Sequence, residues 1–245
     1  MRINHLLTAI FAISVLLPGC DATGSSHQEV QAIPSVYNIC LVLDGTDRLS
    51  EQNGVPCMSV EEILDLAGTL TQKGLGNLYV TYVDDYCDNN RVAVYEWSEM
   101  SPEPIGTKPS YIKSTDYEKQ CAERQKEVDD YKARKEEALQ AFTPGISFIV
   151  EAAYSDKVAH QRRCSDVNGA INQASRLLKA TASEDNHSCI ILVSDGCDNV
   201  GKGLSSLPID TDLFLINSNV SKHQYGDLVT REFVTLHQAI KYIFK

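Results

Sequence analysis

The chain is short of cations: 22 Lys and Arg stand against 33 Asp and Glu, for a formal net charge of -11. Nucleic acid needs a basic face to neutralise its phosphates, so that class of partner is excluded. The six His, at His5, His27, His160, His187, His223 and His237, form no HxxxH or HExxH cluster, which removes the zinc-protease pattern. No CxxC spacing occurs, so a structural zinc site is not expected. The Gly-x-Ser-x-Gly elbow of serine hydrolases is missing, and Gly74-x-Gly76 precedes a strand-forming run instead of following one, which argues against a dinucleotide site. There is no internal repeat, and after the first twenty residues no apolar stretch is long enough to span a bilayer.

Those first residues form a leader. Arg2 opens a short basic start, Leu6 to Leu17 are apolar, and Leu17-Pro18-Gly19-Cys20 follows. The pattern resembles the lipobox of bacterial lipoprotein precursors, which implies cleavage after residue 19 and lipidation of Cys20. An ordinary signal peptide or a single anchor are the other readings of this stretch. Asp21 resembles the signal that keeps some enterobacterial lipoproteins on the periplasmic face of the inner membrane, with the outer membrane or cell surface as alternatives. Residues 20–35 read as a flexible tether. Residues 36–245 are then one α/β domain, large enough for a full core. Seven further cysteines remain, Cys40, Cys57, Cys87, Cys121, Cys164, Cys189 and Cys197. In an oxidising envelope they point to disulfides, with one thiol left over or paired outside the chain.

Within the domain, strand-like runs alternate with helical patterns, as βαβ units around a mostly parallel sheet require. A strand ends at Asp44. Ser59-Val60-Glu61-Glu62 is a capping box for a helix to about Leu70. Lys73 to Asn77 read as a turn, and Leu78–Val83 and Arg91–Trp97 as an antiparallel hairpin. Thr115-Asp116-Tyr117-Glu118 offers a second capping box for a charged helical insert over 115–142, which Thr143-Pro144-Gly145 ends. Its apolar positions are too few for heptads. Ile146 to Ala153 fit a strand or a helix. Val167 to Leu178 carry a continuous apolar stripe, with Ser165 or Asp166 as cap. Further strands are expected to end at Asp195 and to run from Asp212 to Ser218, and a last helix from Thr230 to Phe244.

Two runs share one build: Ile39-Cys40-Leu41-Val42-Leu43 ends in Asp44-Gly45-Thr46, and Ile190-Ile191-Leu192-Val193-Ser194 ends in Asp195-Gly196. Runs apolar on both faces suit strands buried inside a parallel sheet, which puts both carboxylates on one rim. That rim is where open α/β sheets bind ligands. Asp-Gly is also ordinary turn chemistry, Thr46 fits an ST-turn, and Ser165 fits an N-cap.

Asp44-x-Thr46 early, Ser165 at the head of a mid-chain amphipathic helix, and Ser194-Asp195-Gly196 later together resemble the von Willebrand factor A domain. The likeness runs from Val36 to Phe244. It implies a three-layer Rossmann-like α/β fold: a mostly parallel central sheet with one antiparallel edge strand and helices on both faces. It also implies a metal-ion-dependent adhesion site, in which Asp44, Thr46, Ser165 and Asp195 match the metal ligands. Such a set of oxygens suits Mg2+, Mn2+ or Ca2+. The sequence departs from the family pattern at Arg48, where a second Ser belongs; a guanidinium there could pair with Asp44 or Asp195 and fill the role of the ion. Asp47, Asp166 and Asp198 lie beside the matched positions as substitute ligands or partner contacts.

The resemblance implies a lipid-anchored envelope protein that binds a partner protein, through an acidic side chain of that partner, without catalysis. A metal-dependent phosphohydrolase is the alternative, since two carboxylates and a hydroxyl can hold an ion that activates water; Asp44-Gly45-Thr46 lacks the second carboxylate that haloacid dehalogenase-like phosphatases carry two residues on. An inert scaffold of an envelope complex is the third reading. On the implied fold, Cys57, Cys87, Cys164 and Cys197 share the rim, whereas Cys40 and Cys189 lie inside strands as small buried thiols. Cys189 and Cys197 cannot pair with each other, because extended chain at about 3.3 Å per residue carries them beyond disulfide reach. At least one disulfide is expected to tie the rim loops, with Cys164–Cys197 as the candidate pair. Non-reducing peptide mapping tests this, and recovery of all four rim cysteines as thiols overturns it.

Overall fold

Burial on both faces fixes the centre of the sheet. In β1 (Val36–Leu43), every residue from Tyr37 onward is buried, and it is hydrogen-bonded in parallel to β2 (Leu75–Tyr82) on one side and β4 (Asn186–Val193) on the other. This is a computed structural model that describes residues 35–45, 55–155, 164–181, 183, 185–217 and 224–245. The leader, Cys20, Asp21, the tether to residue 34, and Thr46, Asp47 and Arg48 lie outside the described residues.

The sheet has six strands in the order β3-β2-β1-β4-β5-β6. Only β3 (Ala93–Trp97) runs antiparallel, paired with β2 as the expected hairpin. β5 (Thr211–Ile216) and β6 (Arg231–Phe233) continue the parallel order. The period of two along β1 sorts its side chains between two cores. Ile39, Leu41 and Leu43 pack with α1 (Val60–Lys73), α2 (Ser114–Tyr154) and α4 (Leu236–Ile243). Cys40 and Val42 pack against Val167, Ala170, Ile171, Ala174 and Leu178 of α3 (Val167–Thr181) on the other face. The result is a three-layer, Rossmann-like α/β fold with helices on both faces. No helix among the described residues is long and apolar enough to cross a membrane.

The local signals hold where packing agrees with them. Ser59 Oγ accepts from Glu62 N while the Glu62 carboxylate accepts from Ser59 N, so the capping box of α1 is complete. Elsewhere the structure corrects the sequence reading. Only Gly74 separates α1 from β2, so the five-residue turn is absent. β4 stops at Val193, two residues before Asp195. α2 is 41 residues long, starts at Ser114 without a side-chain cap, and passes through Pro144. Ile146 to Ala153 are thereby helical. Pro144 has no N–H to donate, but Phe142, Ile146, Ile149 and Ala153 form one buried stripe across it, and Thr143 Oγ1 and Ser147 Oγ donate back to the carbonyls of Leu139 and Thr143 at 2.8 and 2.9 Å. Tertiary burial outweighs the breaker.

The C-terminal helix starts six residues later than expected. Residues 231–233 instead pair with β5, where the Phe233 ring stands edge-on to Phe214 at 5.7 Å between centroids. Thr235 then caps α4 by accepting from Gln238 N. An apolar period does not distinguish a three-residue edge strand from a first helical turn, and the open edge of β5 decides it.

The last turn of α2 lies against the end of β1. A Cβ added at Gly45 would overlap the Ala153 carbonyl and come within 2.9 Å of the Tyr154 ring. Gly45→Ala is therefore expected to lower stability by about 1–3 kcal/mol, the cost of overpacking. An unchanged urea midpoint would contradict this contact.

Candidate functional site

The rim begins where β1 runs out. Leu43 pairs with Val193, and Asp44 N donates to the Val193 carbonyl at 2.9 Å, so Asp44 and Ser194 are neighbours at the ends of the two central strands. Asp44 is 8% exposed and Ser194 fully buried. A carboxylate in such a place needs a donor. Ser194 Oγ supplies one at 2.6 Å, while the same oxygen accepts from Gly196 N at 2.9 Å. Asp195 is half-buried, and its Oδ1 accepts from Cys197 N at 2.9 Å, closing an Asx-turn.

The other predicted residues arrive on neighbouring segments. Ser165 N donates to Asn199 Oδ1 at 2.6 Å, and Asn199 N donates to the Ser165 carbonyl at 3.1 Å. This two-bond clamp holds the head of α3 to the loop after β4. Asp166, not Ser165, caps α3: its Oδ1 accepts from Gly169 N at 3.0 Å. Its Oδ2 accepts from Cys87 N at 2.9 Å and from the Lys202 ammonium at 2.7 Å. A Cβ on Gly169 would collide with this carboxylate, so the glycine leaves room for the cap. Asp198 spends one oxygen on Asn168 N and the other on Gly201 N. Asp166 and Asp198 therefore hold loops together. Thr46, Asp47 and Arg48 lie outside the described residues.

Sequence reasoning missed several residues that build this rim. Lys202 joins the buried Asp166 to Asp88 at 2.9 Å, and its ammonium lies 5.5 Å from the ring centroid of Tyr86. Tyr225 donates its hydroxyl to Asn168 Oδ1 at 3.0 Å, and burial first, then the charges of Asp198, Asp44 and Cys197, pushes that hydroxyl above the usual tyrosine range. No local motif marks these residues; each partner is distant in sequence.

Burial pushes the thiols of Cys40 and Cys189 far up, as expected of small buried side chains, and the thiol of Cys87 up to about 12. Among the described residues the structure contains no disulfide. The backbone of Cys164 is fastened instead by Asp85 Oδ1 at 3.0 Å.

Among the described residues no three His, Cys, Asp or Glu side chains converge as a metal centre. Of the four matched positions, Asp44, Ser165 and Asp195 lie on the segments that build this rim. Their side chains offer hard oxygens, and the set fits a Mg2+, Mn2+ or Ca2+ ion by type. Compared with known proteins, the sequence matches no family model and no curated protein.

The Lys202 contacts carry a stability prediction. Asp166 is fully buried, whereas the Lys202 side chain is 29% exposed. Lys202→Met is expected to cost about 2–3 kcal/mol, below the range for fully buried pairs because the ammonium keeps solvent contact. The hydrogen bonds that Lys202 donates to Asp166 and Asp88 raise it above its ordinary value, so its contribution is complete below about pH 10.4 and lost as pH climbs through the folded value. The Lys202 hydrogen bond holds Asp88 below the usual carboxylate range, so that contribution is present above about pH 4 and lost in acid. Urea midpoints of wild type and variant should differ most between these limits, draw together as pH climbs through the Lys202 folded value, and lose only the small Asp88 share in acid. A gap independent of pH would refute the assignment.

Proposed function

We propose that this rim is the working surface of a von Willebrand factor A-like binding domain, tethered to a bacterial envelope by lipid on Cys20, that captures a partner protein through an acidic side chain. One observation carries the reading: Asp44 and Ser194-Asp195-Gly196 stand at the carboxyl ends of adjacent central strands, joined by the 2.6 Å hydrogen bond from Ser194 to Asp44. The mostly parallel sheet with one antiparallel edge strand agrees with the resemblance.

Asp44, Thr46, Ser165 and Asp195 would hold a divalent cation, which when bound supplies an open position for the partner's carboxylate. Ser194 orients Asp44 for that role, and the Asn199 clamp keeps Ser165 beside the same loop. Asp166 and Lys202 hold the surrounding turns still, so little order has to be acquired on binding. Tyr86, 74% exposed beside Lys202, adds an aromatic contact of the kind enriched at binding hot spots. Arg48 offers the partner carboxylate a guanidinium if it replaces the ion. Asp21 favours the periplasmic face of the inner membrane as the site of action.

Calorimetric titration of the full chain with magnesium, manganese and calcium is expected to give saturable binding that Asp195→Ala abolishes. Partner capture lost with EDTA supports the cation, and capture that survives EDTA but fails in Arg48→Ser supports the guanidinium. Divalent-dependent turnover of a generic phosphoester, abolished in Asp44→Ala, would overturn the binding reading.

A further inference from the structure

We propose that the cleft between α3 and residues 205–210 is a second binding site, for a small organic anion with an apolar body. The site arises from how β4 connects to β5. Parallel strands are usually joined through a helix, yet residues 194–210 contain none. Leu204 and Leu207 tuck against the core on the α3 face. Asn172 stitches this coil to α3 at one end: its Nδ2 donates to the Gly203 carbonyl at 3.0 Å and its Oδ1 accepts from Ser205 N at 2.8 Å. Beyond that stitch the coil parts from the helix, leaving a cleft of about 940 Å³, within the range of sites for small organic ligands.

The lining sets the ligand class. Asn172, Ser175, Arg176 and Lys179 follow helical spacing and face the cleft from α3. Arg176 and Lys179 stand three residues apart and put two cations on the helix side of the cleft. Arg176 spends one N–H on the Asp88 carbonyl at 3.1 Å, and the rest of its fork matches an oxyanion. Ser175 is the second, independent sign. It is 6% exposed, lines the cleft, and its Oγ has no hydrogen-bond partner. A helical serine ordinarily bonds back to the carbonyl four residues earlier, so a buried hydroxyl left over beside a cleft is a donor for a ligand.

The facing wall is different in kind. Leu207, Pro208 and Ile209 are apolar, and Ile209 is 89% exposed at the lip. The turn that holds it out is closed by Thr211 N donating to the Pro208 carbonyl at 3.3 Å, with Asp210 in the left-handed region at φ 57°. The Asp210 carboxylate on this wall repels a second negative charge, so the head group belongs on the helix side and a monoanion is favoured.

Naphthoate is a suitable probe, with naphthylmethanol lacking the charge and acetate lacking the apolar body. Amide chemical-shift titration of the full chain is expected to give saturable shifts at 172–179 and 205–210. The exposed double substitution R176Q/K179Q should weaken naphthoate about tenfold, and S175V several-fold, with acetate and naphthylmethanol both weaker than naphthoate. K179Q alone, at an exposed position, should weaken binding without moving the thermal midpoint. Equal affinities in wild type and R176Q/K179Q, equal binding of naphthylmethanol and naphthoate, or shifts outside the cleft would each overturn the proposal.

Discussion

β1 has no face in water. Its peptide groups are satisfied by β2 and β4, and its side chains need a layer of helices above and below the sheet. Because both neighbours are parallel to it, three strands end on the same rim, and the polar residues that stop them emerge side by side. Asp44 is thereby held at an edge where the backbone ladder finishes but water has little access. Its carboxylate has to be met by a donor from β4, and Ser194 is in register to provide it. Gly45 belongs to the same constraint, since the last turn of α2 closes over β1 where a side chain would stand.

The rim carboxylates divide by what surrounds them. Asp166 is wholly buried, and a charge in that position persists because two N–H groups and an ammonium converge on it. It links the turn after β2, the head of α3 and the loop after β4. Asp198 does similar work with both oxygens on backbone N–H groups. Asp195, by contrast, is half-buried and placed by its own short turn. The Cys87 thiol completes the interior near this rim, where burial keeps it protonated at ordinary pH.

Particular elements explain which parts of this arrangement could be read from the chain. The capping box at Ser59, the stripe of α3 and the hairpin after β2 are local patterns whose packing agrees with them, so they were legible. α2 was legible only up to Pro144, because the burial that carries it through comes from other elements. β6 was not legible, because three residues have no period of their own and the edge of β5 recruits them. At the site, Asp44 and Asp195 stood out as breaks in apolar runs. The bond from Ser194 to Asp44 and the role of Lys202 did not, since their partners lie 150 and 36 positions away.

The sequence by itself determined the alternation of strands and helices, the two strands buried at the centre, and the acidic residues that follow them. These follow from side-chain period and from the chemistry of chain breaks, which act over a few residues. Only the tertiary structure decided which carboxylates are committed to holding loops, how far α2 extends, and that the β4–β5 connection leaves a cleft beside α3. Each of those depends on groups brought together across the fold, where burial sets the cost of leaving a charge or a hydroxyl without a partner.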